Sequence, residues 1–186
     1  MKYFEHESAA TFDEAVSLLK ESPKGKTVVM AGGSDLIGVL KEQILEDYPE
    51  KVVDLKTVRG GEYIKQDGDT IEIGALTKLC DIVKSDLLNE KAPVLSQAAR
   101  SVATPLIRNV ATMGGNICQD VRCWFYRYPH GIGGRMDCMR KGGKECYAVM
   151  GDNRYHSIFG GMKVHTTPCS VQCPANTDIP AYMERL

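Results

Sequence analysis

Six of the seven cysteines in this chain fall after residue 117. Cys118 and Cys123 bracket Gln119-Asp120-Val121-Arg122. Cys138 and Cys146 bracket a basic, glycine-bearing stretch, Met139-Arg140-Lys141-Gly142-Gly143-Lys144-Glu145. Thiolates on such a loop are soft ligands, suited to zinc or to an iron–sulfur cluster, and composition does not choose between the two metals. The segment has too few apolar residues to bury a core of its own, so a metal is the expected means of holding it. Cys80 stands apart on the apolar side of a predicted helix and reads as a small buried hydrophobe.

A second kind of chemistry, anion binding, is suggested by two glycine pairs. Val28-Val29-Met30-Ala31-Gly32-Gly33-Ser34-Asp35-Leu36 reads as a strand, a glycine turn and a helix start. The stretch from Ala103 to Cys118 is small, glycine-rich and almost free of acidic charge, with Gly114-Gly115 flanked by Thr112 and Asn116. Glycine lets backbone N–H groups approach an anion closely, so two such loops could grip the two ends of one pyrophosphate. Neither has the G-x-G-x-x-G spacing of a Rossmann site. His6, His130, His156 and His165 are scattered without evident triad partners, so no catalytic residue is assigned.

These loops need elements to position them. Thr11-Phe12-Asp13-Glu14 has the form of a capping box, and Phe12, Ala15, Val16, Leu18 and Leu19 follow at helical spacing until Ser22-Pro23-Lys24-Gly25. Thr27–Met30 and Lys51–Leu55 read as strands around a helix over 35–43, a small α/β unit. Tyr63–Gln66 and Thr70–Ile73, joined at Asp67-Gly68-Asp69, read as a β-hairpin. Helical patterns follow over 76–85 and 92–102.

The chain has 186 residues, 43% hydrophobic and 25% charged, with a net charge of −1. That is enough for one domain with a core, and gives no sign of a nucleic-acid or anionic-membrane partner. Met1-Lys2-Tyr3-Phe4-Glu5-His6 lacks the apolar run of a signal peptide, and no stretch is long enough to span a bilayer, so the cytoplasm is the expected location. There the cysteines are not expected to form a disulfide framework.

The pair AGGSDL and IRNVATMGGN, with Ile73-Gly74-Ala75-Leu76-Thr77 between them, resembles the flavin-binding domain of the xanthine dehydrogenase and carbon monoxide dehydrogenase type, a PCMH-type FAD fold. The likeness covers roughly residues 1 to 165. It implies an α+β fold of two subdomains, 1–57 and 58–165, with FAD lying between them. By the same resemblance, FAD contacts fall on Met30, Ala31, Gly32, Gly33, Ser34, Asp35, Leu36, Ala75, Thr104, Ile107, Arg108, Ala111, Thr112, Gly114, Gly115, Asn116 and Ile117.

The run GGN-I-C-x4-C-W-F-Y further resembles the flavin subunit of hydroxybenzoyl-CoA reductase, which carries a [4Fe–4S] cluster on an inserted loop. That resemblance implies an insert over 118–160 with ligands at Cys123, Cys138 and Cys146. The first spacing differs by one residue. The fourth ligand, a cysteine in that family, falls on Tyr155; neighbouring His156 is the candidate replacement, and Cys118 is its rival. The tail, 166–186, departs from the family. Its C-x3-C-P…D-I-P-A-Y, with Cys169 and Cys173, resembles the start of the iron–sulfur domain of the glutamate synthase small subunit and dihydropyrimidine dehydrogenase. There the two cysteines serve two different [4Fe–4S] clusters, whose remaining ligands this chain lacks.

Two functions stay open. In the first, the chain is an electron-transfer subunit with FAD and a [4Fe–4S] cluster, inactive alone. It would be partnered by other redox subunits or by the missing remainder of a longer chain, with NAD(P)H, a ferredoxin or a molybdenum hydroxylase subunit as exchange partner. In the second, it is a non-catalytic partner-binding module stapled by zinc or iron–sulfur, without FAD.

Overall fold

The computed structural model describes residues 1–45, 47–129 and 136–150. His130, Tyr155, His156, His165, Cys169, Cys173 and the tail 166–186 lie outside the described residues. The described chain forms two compact units, Met1–Arg59 with residues 118–150, and Gly60–Ile117.

The first unit is built on strands β1 (Glu5–Ser8), β2 (Thr27–Met30) and β3 (Lys51–Asp54), with helix α1 (Phe12–Glu21) after β1 and α2 (Leu36–Lys41) after β2. The sheet is parallel in the order β1-β3-β2, with Lys51 in register with both Glu5 and Thr27. The central strand carries Val52 and Val53 with no exposed surface. Consecutive buried valines mark a strand covered on both faces, and each contributes about 1.5–3 kcal/mol of burial. The N-terminus of α1 follows from its sequence. Thr11 Oγ1 accepts the Glu14 N–H at 3.1 Å, while Glu14 Oε2 accepts the N–H of Ala10, at 2.7 Å, rather than that of Thr11. Helix α2 spans six residues where the sequence suggests nine: Asp35 is its N-cap, and at the other end Glu42 is the C-cap and Gln43 turns left-handed at φ +51°.

In the second unit a hairpin pairs β4 (Ile64–Asp67) with β5 (Thr70–Ile73), Asp67 facing Thr70. The two-residue loop is therefore Gly68-Asp69, with Gly68 at φ +56°, one residue later than the Asp-Gly dipeptide suggests. Five short helices follow: α3 (Leu79–Lys84), α4 (Asp86–Lys91), α5 (Pro93–Arg100), α6 (Pro105–Arg108) and α7 (Met113–Ile117). Leu79, Ile82, Leu88, Ala99 and Ala111 form their core. Cys80 is not the buried hydrophobe the sequence suggests. It is partly exposed, and its Sγ lies 3.6 Å from Asp81 Oδ1. Partial burial first, and the Asp81 carboxylate second, push its pKa up.

Residues 118–150 contribute helix α8 (Trp124–Arg127), a single 3-10 turn (Met139–Lys141) and α9 (Tyr147–Met150). The sequence groups this stretch with 58–165. In the fold it packs on the first unit: Cys123, Tyr126, Cys138 and Ala148 share a core with Val39 of α2 and with Ile44.

Candidate functional site

In the first glycine loop, Gly33 adopts φ +72°, a left-handed conformation natural to glycine. Its carbonyl accepts the Ile37 N–H at 3.0 Å and so starts α2. Among the described residues, no acceptor meets the N–H groups of Gly32, Gly33, Ser34 or Asp35. Successive unpaired N–H groups around a left-handed residue have the form of an anion nest. Met30, Ala31, Gly32, Asp35 and Leu36 are half-buried and Ser34 is exposed.

The Asp35 side chain points elsewhere. Its Oδ1 lies 2.8 Å from Arg127 Nη2 and 2.8 Å from Arg122 Nη1. Its Oδ2 accepts Arg127 Nη2 at 3.1 Å and the Asp120 N–H at 3.0 Å. Arg127 in turn donates from Nε to the Val121 carbonyl at 2.9 Å and from Nη2 to the Asp120 carbonyl at 3.0 Å. These arginines were not singled out by spacing, because Arg127 is 92 residues away from its carboxylate partner.

The second glycine loop behaves differently. Met113, Gly114, Gly115 and Asn116 donate their N–H groups to Thr77 O, Ala75 O, Thr112 Oγ1 and Thr112 O, at 2.8, 2.8, 3.2 and 2.8 Å. A Cβ on Gly114 would lie 2.9 Å from the Ala75 carbonyl oxygen. Here glycine permits backbone to sit on backbone. The Ile73–Thr77 stretch is the platform. A Cβ on Gly74 would strike the Gly61 carbonyl, and Thr77 Oγ1 both donates to Tyr63 O at 2.9 Å and accepts the Tyr63 N–H at 3.0 Å. Thr104 caps α6, its Oγ1 accepting the Ile107 N–H at 3.4 Å. Arg108 is buried, with Nη1 donating to Arg100 O at 2.8 Å and Val102 O at 3.0 Å, so its guanidinium holds the end of α5. Ala111 is buried, while Ile107 and Ile117 are exposed.

The structure brings three of the cysteines together. Cys123, Cys138 and Cys146 line one cavity of about 200 Å³, with Phe125, Tyr126, Met139, Arg140, Tyr147 and Ala148. The loop from Cys138 to Cys146 folds back on itself. The Cys138 carbonyl accepts the N–H groups of Lys141 and Gly143 at 2.8 and 2.9 Å, Gly142 turns at φ +80°, and the Met139 N–H reaches Glu145 O at 2.9 Å. This closure returns Cys146 to the side of Cys138. Cys118 is exposed and is not part of the cavity wall. Among the described residues, no three His, Cys, Asp or Glu side chains converge on a point where one ion could sit. Tyr126 stays a protonated donor: burial, then its hydrogen bond with the Asp120 carboxylate, raises its pKa far above the ordinary phenol value.

The family described as the FAD binding domain in molybdopterin dehydrogenase matches residues 2–130. The nicotinate dehydrogenase FAD-subunit of Eubacterium barkeri is 34% identical over 117 residues, 63% of this chain and 39% of its own length. The aldehyde oxidoreductase FAD-binding subunit PaoB of Escherichia coli is 29% identical over 161 residues, 86% of this chain and 48% of its own. Among solved structures, a carbon monoxide dehydrogenase from Hydrogenophaga pseudoflava that lacks the Mo-pyranopterin moiety superposes with a TM-score of 0.59 at 31% identity, over 62% of this chain and 39% of that one. The chain thus spans less than half the length of these relatives. No helix among the described residues is long and apolar enough to cross a membrane.

Proposed function

The chain belongs to the family of FAD binding domains in molybdopterin dehydrogenases, and from that premise we propose that it is an electron-transfer module carrying FAD and a [4Fe–4S] cluster, part of a larger oxidoreductase. The observation that carries the cluster is the convergence of Cys123, Cys138 and Cys146 on one cavity. Zinc needs its ligands gathered within about 2.3 Å of a single ion. A cubane takes one thiolate at each iron, so its ligands stand apart around a larger volume. A cavity of about 200 Å³ lined by three cysteines supports the cluster, and membership of an FAD-binding family weighs against the partner-binding reading without FAD.

For FAD, the N–H groups of Gly32, Gly33, Ser34 and Asp35 are the proposed pyrophosphate donors. Thr112 and Asn116 are assigned through their side chains, because the backbone N–H groups of Gly114, Gly115 and Asn116 are already bonded. Met30, Ala31, Leu36, Ala75, Thr104, Ile107, Arg108, Ala111 and Ile117 are proposed as further FAD contacts on the strength of the family resemblance. When bound, FAD exchanges a hydride equivalent and the cluster moves single electrons. His156 is the proposed fourth ligand, with Cys118 the rival. Cys169 and Cys173 would serve clusters completed by other polypeptide. The partners proposed are redox subunits or a further part of the same polypeptide, exchanging electrons with NAD(P)H, a ferredoxin or a molybdenum hydroxylase subunit in the cytoplasm.

The visible spectrum and iron content of the chain test this. A flavin band with a broad brown shoulder that dithionite bleaches, and about four irons per chain, the content of one cubane, are expected. Zinc without flavin would overturn the reading. About eight irons would show that the tail cysteines complete a cluster within this chain.

A further inference from the structure

We propose that Arg127 is a positioning residue that couples occupancy of the cysteine cavity to FAD binding, by gripping the carboxylate of Asp35 at the end of the first glycine loop. The inference rests on the function proposed above and adds a thermodynamic link between its two cofactors.

The connection is short and continuous within the first unit. Cys123 is the N-cap of α8, and its carbonyl accepts the N–H of Arg127 at 2.9 Å. Helix α8 has four residues, a single turn, which does not hold itself against the cost of nucleation. Its geometry is set by whatever fixes its ends. At the first end stands a thiol of the cavity wall; at the other, the guanidinium of Arg127 meets Asp35 at 2.8 and 3.1 Å. The Asp35 side chain is 19% exposed and that of Arg127 20%, so the pair is shielded enough to be directional rather than a screened surface contact. Asp35 precedes α2, and α2 touches the same cavity wall a second time, through Val39 packed among Cys123, Tyr126 and Cys138. The glycine loop is thus tied to the cysteine cavity at two points. Filling the cavity fixes Cys123, hence α8, hence Arg127, hence the backbone that presents Gly32 to Asp35. By linkage, FAD must in turn hold the cluster more firmly, by the same factor.

The test uses the 186-residue chain, with FAD affinity measured by flavin fluorescence before and after cluster reconstitution. Wild type should bind FAD at least about fivefold more tightly when loaded, the lower end of ordinary coupling between sites. FAD should slow iron loss to a chelator correspondingly. In Arg127→Gln, and independently in Asp35→Asn, the ratio of the two dissociation constants should fall to near one; Arg127→Lys should restore part of it. A residue that only supports the fold would weaken both constants alike and leave their ratio untouched. A ratio near one in wild type, or a ratio unchanged in either variant, overturns the coupling while leaving the two cofactors in place. If Arg127→Gln does not fold, Asp35→Asn decides alone. A chain that takes up FAD and no iron overturns the cluster assignment, and this inference with it.

Discussion

The two glycine pairs look alike in the sequence and do opposite work. Gly33 is a glycine because its backbone turns left-handed, and the N–H groups around it have no acceptor among the described residues. Gly114 is a glycine because its backbone lies on Ala75, and the N–H groups around it are already donated. A glycine pair records only that a side chain is unwelcome. Whether the space is reserved for a ligand or for another stretch of chain depends on where the neighbouring N–H groups go. The first loop is poised to act; the second is a joint.

The comparison breaks most visibly at Gly114. In Gly114→Val a side chain meets a backbone carbonyl, which cannot rotate aside, and the Gly114 N–H to Ala75 O bond is strained with it. The expected loss is about 1–3 kcal/mol of stability from overpacking, read by denaturant unfolding of the flavin-free chain. An unperturbed unfolding midpoint would mean that this glycine is not a joint.

Gly33→Ala should cost less stability, roughly 1–2 kcal/mol for a left-handed alanine. Its Cβ would meet Ile37 Cδ1 at 2.9 Å, the far end of a side chain that can move. FAD affinity should fall by more than the stability change accounts for. A variant that unfolds more easily than Gly114→Val, yet keeps its flavin, would reverse the roles given to the two loops.

Thr112→Val is gentler. It removes the Oγ1 that accepts the Gly115 N–H at 3.2 Å and keeps the buried volume. Losing a cap of this kind costs about 0.5–2 kcal/mol, and the low end is expected because Gly115 is exposed and water can replace the acceptor. A loss comparable to that of Gly114→Val would place the hydroxyl, rather than the glycine contact, at the centre of the joint.

Local features were legible in the sequence. Strands β2 to β5, the hairpin and the capped start of α1 follow from residues close together in the chain; the three cavity cysteines came through the family resemblance, and β1 was missed because Glu5-His6-Glu7-Ser8 carries no apolar residue. The pairing of Asp35 with Arg127 was not legible, since any carboxylate and any arginine satisfy a charge pattern and only the folded chain selects the pair. The seat of Gly114 on Ala75 was hidden for the same reason: Ile73-Gly74-Ala75-Leu76-Thr77 reads as a flavin motif, while its visible work is to carry the second loop. The packing of 118–150 on the first unit rests on Val39 and Ile44, apolar residues that look like any others in a helix pattern.

The smallest expected effect sharpens the contrast at the point where the second loop runs out. Cys118 directly follows α7, is exposed and stands off the cavity wall, whereas Cys123 and Cys138 are 5% and 7% exposed. If the first loop is the one tied to the metal segment, the second should end in a thiol that the cluster does not use. Brief alkylation at neutral pH, followed by peptide mass analysis, should label Cys118 first among the cysteines of the described residues. Cys80 should lag although it is partly exposed, because its raised pKa leaves less of the reactive thiolate at a given pH, and its labelling should quicken as the pH climbs toward that value. Cluster loading should then protect Cys146, the more accessible of the three cavity thiols, and leave the rate at Cys118 unchanged. Protection of Cys118 would make it the fourth ligand, displace His156, and tie the second loop to the cluster after all.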